Sequence, residues 1–213
     1  MNKTNASKKV RTLTYLAVLT AIIFLLSFTP IGYLKIGVLE ISFLTIPVII
    51  GAMVLGPVGG AILGGVFGLT SFLTCIGVGV PSAFGAELFQ INPFYTFIVC
   101  FIPRVLVGLL AGLLFRGLQK IDRTKIVSYG VTGLCGALFN TILFTGSLLL
   151  LFWHTDFIQG LAAGQNILAF VVGFVGLNGL VEALVCFVVS SAVSKALVHF
   201  IPANPVLKEK KPE

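Results

Sequence analysis

The sequence predicts an all-α membrane protein of six transmembrane helices with both termini in the cytoplasm. Three observations carry that prediction. Of 213 residues, 57% are hydrophobic and 10% are charged, where a soluble domain carries about 25% charge. Apolar runs of roughly twenty residues, the length a helix needs to cross a bilayer, recur from end to end. The basic residues fall into three clusters separated by even numbers of those runs. The pattern excludes a soluble enzyme, a disordered tail and a nucleic-acid module. It reads residues 1–213 as one integral membrane domain.

The first run, Thr12 to Phe28, follows a polar head and stops at Pro30. It lacks a small-x-small cleavage site and reads as a signal-anchor helix. A loop from Ile31 to Ser42 holds Lys35 and Glu40. The second run, Phe43 to Leu55, breaks at Gly56-Pro57, and the third continues from Val58 to Ile76. Gly77 to Asn92 is rich in Gly, Pro and Ser and reads as an ordered loop or re-entrant piece. Pro93 suits the first turn of a fourth helix that reaches Leu118. A basic loop, Gln119 to Lys125, precedes the fifth run, Ile126 to Trp153. His154 to Gly164 forms a loop, and Gln165 to Val198 makes a long sixth run.

Charge sets the orientation. Lys3, Lys8, Lys9 and Arg11 precede the first run, and Arg116, Lys120, Arg123 and Lys125 follow the fourth. Lys195, Lys208, Lys210 and Lys211 close the chain, so twelve of the fourteen basic residues share one side of a six-span topology. The excess of basic residues in cytoplasmic loops places that side inside the cell. The net charge of +7 therefore follows from topology and calls for no nucleic acid.

Ionisable groups deep in a membrane helix are costly and mark function. Arg104 lies about 16 Å into the fourth span from Pro93, near the midplane, and Glu182 about 25 Å into the sixth. Phe97, Phe101, Gly108 and Ala111 share the Arg104 face at helical spacing, so that stripe points inward. Such an arginine either pairs with Glu182 or stands as a fixed cation for an acidic ligand. The greater depth of Glu182 favours a structural or partner-facing role. Asn140 shares its face with Gly133, Gly136, Ala137, Phe144 and Ser147. Its amide, like that of Asn178, must find hydrogen bonds from a neighbouring helix or from a ligand. Asn92, Tyr95, Trp153 and Gln165 are candidate contacts at the outer rim, and Trp153 equally suits an interfacial anchor.

Small residues add a second signal. Gly60, Gly64 and Gly68 form GxxxGxxxG in the third span, and Ala17 and Ala21 form AxxxA in the first, each on one face that a helix can approach closely. Cys75, Cys100, Cys135 and Cys186 lie in apolar runs with no CxxC pair and read as small buried hydrophobes. There is no HExxH, GxxxxGK[ST] or GxSxG, and no cluster of carboxylates or histidines. No catalytic residue, no metal site and no cofactor is expected in this chain.

The six spans, the Ala17/Ala21 motif and the Gly-rich third span resemble the substrate-binding S component of energy-coupling factor (ECF) vitamin transporters. The resemblance covers essentially the whole chain. Ile46 to Ala52, Leu55 to Gly60 and Phe67 to Ser71 look like the pantothenate-type members, as do Asn92-Pro93-Phe94 and Ile102 to Gly108. It implies six helices with a vitamin occluded near the outer face and the loop after span one, with Tyr33, Gly32 and Gly37, as a lid. It also implies docking, through Ala17 and Ala21, on a membrane coupling T component driven by two cytoplasmic ATPases, which use the ATP. Pantothenate as ligand would set its carboxylate on Arg104 and its amide or hydroxyls on Asn140 and Asn178. Alternatives are an S component for riboflavin, folate, pyridoxine or a thiamine precursor, with Arg104 paired to Glu182, and a stand-alone channel or carrier.

Overall fold

The computed structural model describes residues 3–36, 39–122 and 126–200. Within these, the side chains at 3–8, 34–36, 39–41, 126, 168, 174–175, 177–178, 191 and 194–200 lie outside the description. The elements run α1 (Lys3–Ser27), β1 (Tyr33–Ile36), β2 (Leu39–Ser42), α2 (Thr45–Cys75), α3 (Ala83–Ile91), α4 (Pro93–Ile121), α5 (Ile126–Phe152), α6 (Asp156–Ala162) and α7 (Ile167–Phe200). Among the described residues, four stretches are long and apolar enough to cross a membrane: 9–27, 45–75, 93–121 and 127–152.

One residue sets the course of the second of these. Gly56 has φ 82° and ψ −175°, and Pro57 follows it. Glycine takes that conformation without steric cost, and proline brings no N–H to continue the ladder. Helix α2 therefore folds back on itself. A methyl group added at Gly60 would lie 2.6 Å from the Ala52 Cβ, whereas eight residues of straight helix would separate the two by about 12 Å. The break read from Gly56-Pro57 is thus a reversal between two arms, 45–55 and 57–75.

The second arm packs on α4 through the Gly60-Gly64-Gly68 stripe. Gly60 faces the Gly108 backbone, Gly64 the Arg104 carbonyl and Gly68 the Phe101 Cα, where an added Cβ would sit only 2.8 Å away. Ascending numbers on one helix meet descending numbers on the other, so the pair is antiparallel. Helices α5 and α7 are also antiparallel: Gly133 approaches the Cys186 carbonyl and Gly179 approaches Thr141. Lacking a Cβ, these glycines let backbones meet where dispersion contacts are densest.

Three apolar clusters fill the bundle. One joins Phe84 and Leu88 of α3 to Val99, Leu148, Phe152 and Ile158. A second joins Ile49, Met53, Phe115, Tyr129 and Ala183. The third sets Ile23 of α1 against Leu44, Val48, Leu63 and Phe67 of α2. Ala17 and Ala21 lie on the opposite, exposed side of α1, beside exposed Leu13 and Val18.

Three connections are more ordered than the sequence suggests. The loop at Ile31–Ser42 is a short 3-10 turn and an antiparallel hairpin, Tyr33 opposite Ser42 and Ile36 opposite Leu39, with β2 against α7. Gly32 there is buried and its Cα abuts the Leu26 backbone, so it is wedged in place, while Gly37 lies outside the described residues. Helix α3 occupies the Gly77–Asn92 stretch, started by the Ser82 hydroxyl, which accepts from the Gly85 N–H at 3.2 Å. Helix α6 occupies the stretch before Gly164, with Asp156 in its first turn. The Ser82 cap of α3 and the acidic first turn of α6 favour helix in segments of loop-like composition. Residues 1–2, 123–125 and 201–213, which bear on the orientation of the termini, lie outside the described residues.

Candidate functional site

Arg104 sits near the middle of α4 and is 8% exposed. Its neighbour explains its posture. Pro103 has no N–H, so the carbonyl four residues back, Val99, loses its helical donor. The Arg104 Nη1 donates to that Val99 carbonyl at 2.7 Å, bending the guanidinium toward the Asn92 end of the helix. The Phe144 ring of α5 and the Phe67 ring of α2 flank it, with centroids 4.5 and 5.4 Å from Cζ. The buried Nε has no hydrogen-bond partner.

Burying a cation costs several kcal/mol, and a desolvated cation–π contact returns about 2 kcal/mol. Two rings and one carbonyl leave the guanidinium with unused donors. Among the described residues it forms no ion pair. Glu182 makes no direct ion pair with Arg104 and takes its hydrogen bonds from other side chains. Its Oε1 accepts from the Thr45 hydroxyl at 2.8 Å and from the Asn140 amide Nδ2 at 3.0 Å. This joins the start of α2, the middle of α5 and α7 at one carboxylate.

Asn140 thus has its neighbouring-helix bond, yet its Oδ1 is buried and without a partner, as is the Thr145 hydroxyl a little further along α5. Phe144, one helical turn from Asn140, carries the face of α5 from that amide to the guanidinium. A carboxylate beside Arg104 could accept two charge-assisted hydrogen bonds. A hydroxyl or N–H beside Asn140 could satisfy Oδ1.

The remaining sequence candidates divide. Asn92 caps α4: its Oδ1 accepts from the Phe94 and Tyr95 N–H groups, both at 3.1 Å. Tyr95 is exposed and meets Phe152 edge to face at 6.1 Å. Trp153 is partly buried against Phe170 at 6.0 Å. Tyr33 packs against the Ile23–Leu44–Phe67 cluster, so the hairpin touches the apolar wall that carries one of the two rings on Arg104. Gln165 is exposed beyond α6. Asn178 lies in α7, one turn before Glu182, and its side chain is outside the described residues. Sequence reasoning missed Thr45 and Phe67, which nothing local marks. The Pro103-Arg104 dipeptide, by contrast, signals both the orphaned carbonyl and its donor.

A family model described as "ECF transporter, substrate-specific component" matches residues 11–194. The chain belongs to that family. Two curated relatives cover most of it. It is 32% identical over 168 residues to the pantothenic acid transporter PanT of Lactococcus lactis subsp. cremoris, covering 73% of this chain and 76% of that one. It is 29% identical over 203 residues to the pantothenate transporter PanT of Leuconostoc mesenteroides, covering 91% and 95%. As an ECF substrate-specific component the chain is a multi-pass membrane subunit of a bacterial transporter, and Arg104, Asn140 and Glu182 are buried in its interior.

Proposed function

We propose that this S component binds pantothenate and delivers it through an ATP-driven coupling module. The observation that carries the reading is the buried Arg104 guanidinium, stacked between Phe67 and Phe144 with Nε unpartnered. Pantothenate is a small carboxylate that also bears hydroxyls and an amide. The names of the two relatives favour it over other vitamins. Arg104 takes the carboxylate, and Asn140 and Asn178 take hydroxyl or amide groups. Asn92, Tyr95 and Trp153 approach from the outer rim, and the Tyr33 hairpin closes above.

In this reading the chain crosses the membrane six times, the two arms of α2 counting separately, with both termini in the cytoplasm and the pocket toward the extracellular side. The chain itself takes no cofactor; two cytoplasmic ATPases supply the work through the T component, which docks on the exposed Ala17–Ala21 face. Small residues permit the close helix approach that such docking needs. Replacing Ala17 with Trp should leave pantothenate binding to the purified chain unchanged and abolish uptake by the assembled transporter. Joint loss of binding and folded yield would make that face internal packing and overturn the docking role. A parent chain that fails to bind pantothenate would overturn the substrate.

A further inference from the structure

We infer that Glu182 is a positioning residue whose task is to hold the Asn140 amide so that its carbonyl oxygen, and not its NH2, faces the ligand. The inference rests on the pantothenate reading and adds a specificity rule to it: the site demands a hydrogen-bond donor, a hydroxyl or N–H, beside the ligand's carboxylate. Three observations carry it. Asn140 Nδ2 donates to Glu182 Oε1 at 3.0 Å, which fixes one end of the amide. Asn140 Oδ1, on a side chain only 7% exposed, is buried without a partner. Thr45 donates to the same Glu182 oxygen at 2.8 Å from the first turn of α2, so the carboxylate is itself held in place.

The chemistry follows from the groups. Glu182 Oε1 accepts from both side chains, and an accepting oxygen selects the NH2 end of a facing amide. A glutamine or a water there could turn over and let the Asn140 amide flip. With Nδ2 committed to Glu182, Oδ1 is left buried and unmet on a residue one helical turn from Phe144, whose ring covers the Arg104 guanidinium. An anion carrying no donor would leave that oxygen unmet, and an unmet buried acceptor lowers affinity by roughly tenfold. Arg104 thus reads the ligand's charge and Asn140 reads its donor, with Glu182 setting which sense Asn140 reads.

The test is a double-mutant cycle by isothermal titration on the full purified chain, with Asn140→Ala, Glu182→Leu and the two combined. The two ligands are pantothenate and a donor-free analogue of equal length, in which an ester replaces the amide and the hydroxyls are absent. Each single variant should weaken pantothenate by about tenfold and leave the analogue within about twofold, and the double variant should bind no worse than Asn140→Ala. If Glu182→Leu does not fold, the isosteric Glu182→Gln replaces it and should shrink the preference for pantothenate over the analogue by at least about threefold. Equal shifts for both ligands, or additive losses in the double variant, would make Glu182 a charge balancer and overturn the inference while leaving the pantothenate reading intact. A parent chain that binds neither ligand overturns both.

Discussion

Glu182 and Arg104 are each 8% exposed, and the fold treats them in opposite ways. The carboxylate accepts two short hydrogen bonds from side chains on two other helices. The guanidinium, with five donors, has one backbone carbonyl from its own helix and two aromatic faces. The carboxylate ties three helices together through Oε1, whereas the guanidinium keeps donors unused. The difference separates structure from site better than burial does.

The largest expected effect falls on the Glu182 side. Combining Thr45→Val with Asn140→Leu leaves the Glu182 carboxylate buried with neither donor, and stripping partners from a buried charge costs about 3–5 kcal/mol. Thermal unfolding in detergent should show that loss. Arg104→Met forfeits one hydrogen bond and should shift stability by less than about 1.5 kcal/mol. Equal losses from the two changes would erase the comparison.

A middle-sized effect tests how Arg104 is delivered. Gly64→Ala drives a methyl group into the Arg104 carbonyl. Overpacking of this kind costs about 1–3 kcal/mol, and because it displaces the turn that bears Arg104, pantothenate affinity should fall with it. A variant as stable as the parent would show that α2 and α4 can separate freely there.

The smallest effect sits at the rim. Asn92→Ala removes the cap of α4 and should cost about 1 kcal/mol, with affinity falling less than about threefold, because Oδ1 already serves the helix. A large affinity loss at unchanged stability would instead make Asn92 a direct ligand contact.

Much of this was legible in the sequence, because bilayer physics is written in composition. The reversal at Gly56-Pro57, the start of α4 at Pro93 and the inward faces of Arg104 and Asn140 follow from local rules on glycine, proline and helical spacing. The Gly60-Gly64-Gly68 stripe read as close packing, and it is the contact that seats Arg104. The hairpin and the helical form of α3 and α6 were not legible, since the Ser82 cap, the contact of β2 with α7 and of α3 with α4, and the burial of Ile158 and Ala162 accompany them. The hydrogen-bond partners of Glu182 were not legible for a similar reason. Depth along two helices says nothing of which side chain rotates toward which neighbour, and Thr45, remote in sequence, donates to the carboxylate.

In the proposed site the idle donors of Arg104 take the ligand's carboxylate. The most direct test is isothermal titration of the parent and Arg104→Ala with pantothenate and with pantothenol, its neutral alcohol. Stranding one partner of a buried charge pair costs about 2–5 kcal/mol, so the parent should prefer pantothenate by at least about thirtyfold. Arg104→Ala should weaken pantothenate by a similar factor and narrow the gap between the two ligands. If Arg104→Ala binds pantothenate as tightly as the parent, Arg104 is not the anchor, and the account of the site is wrong.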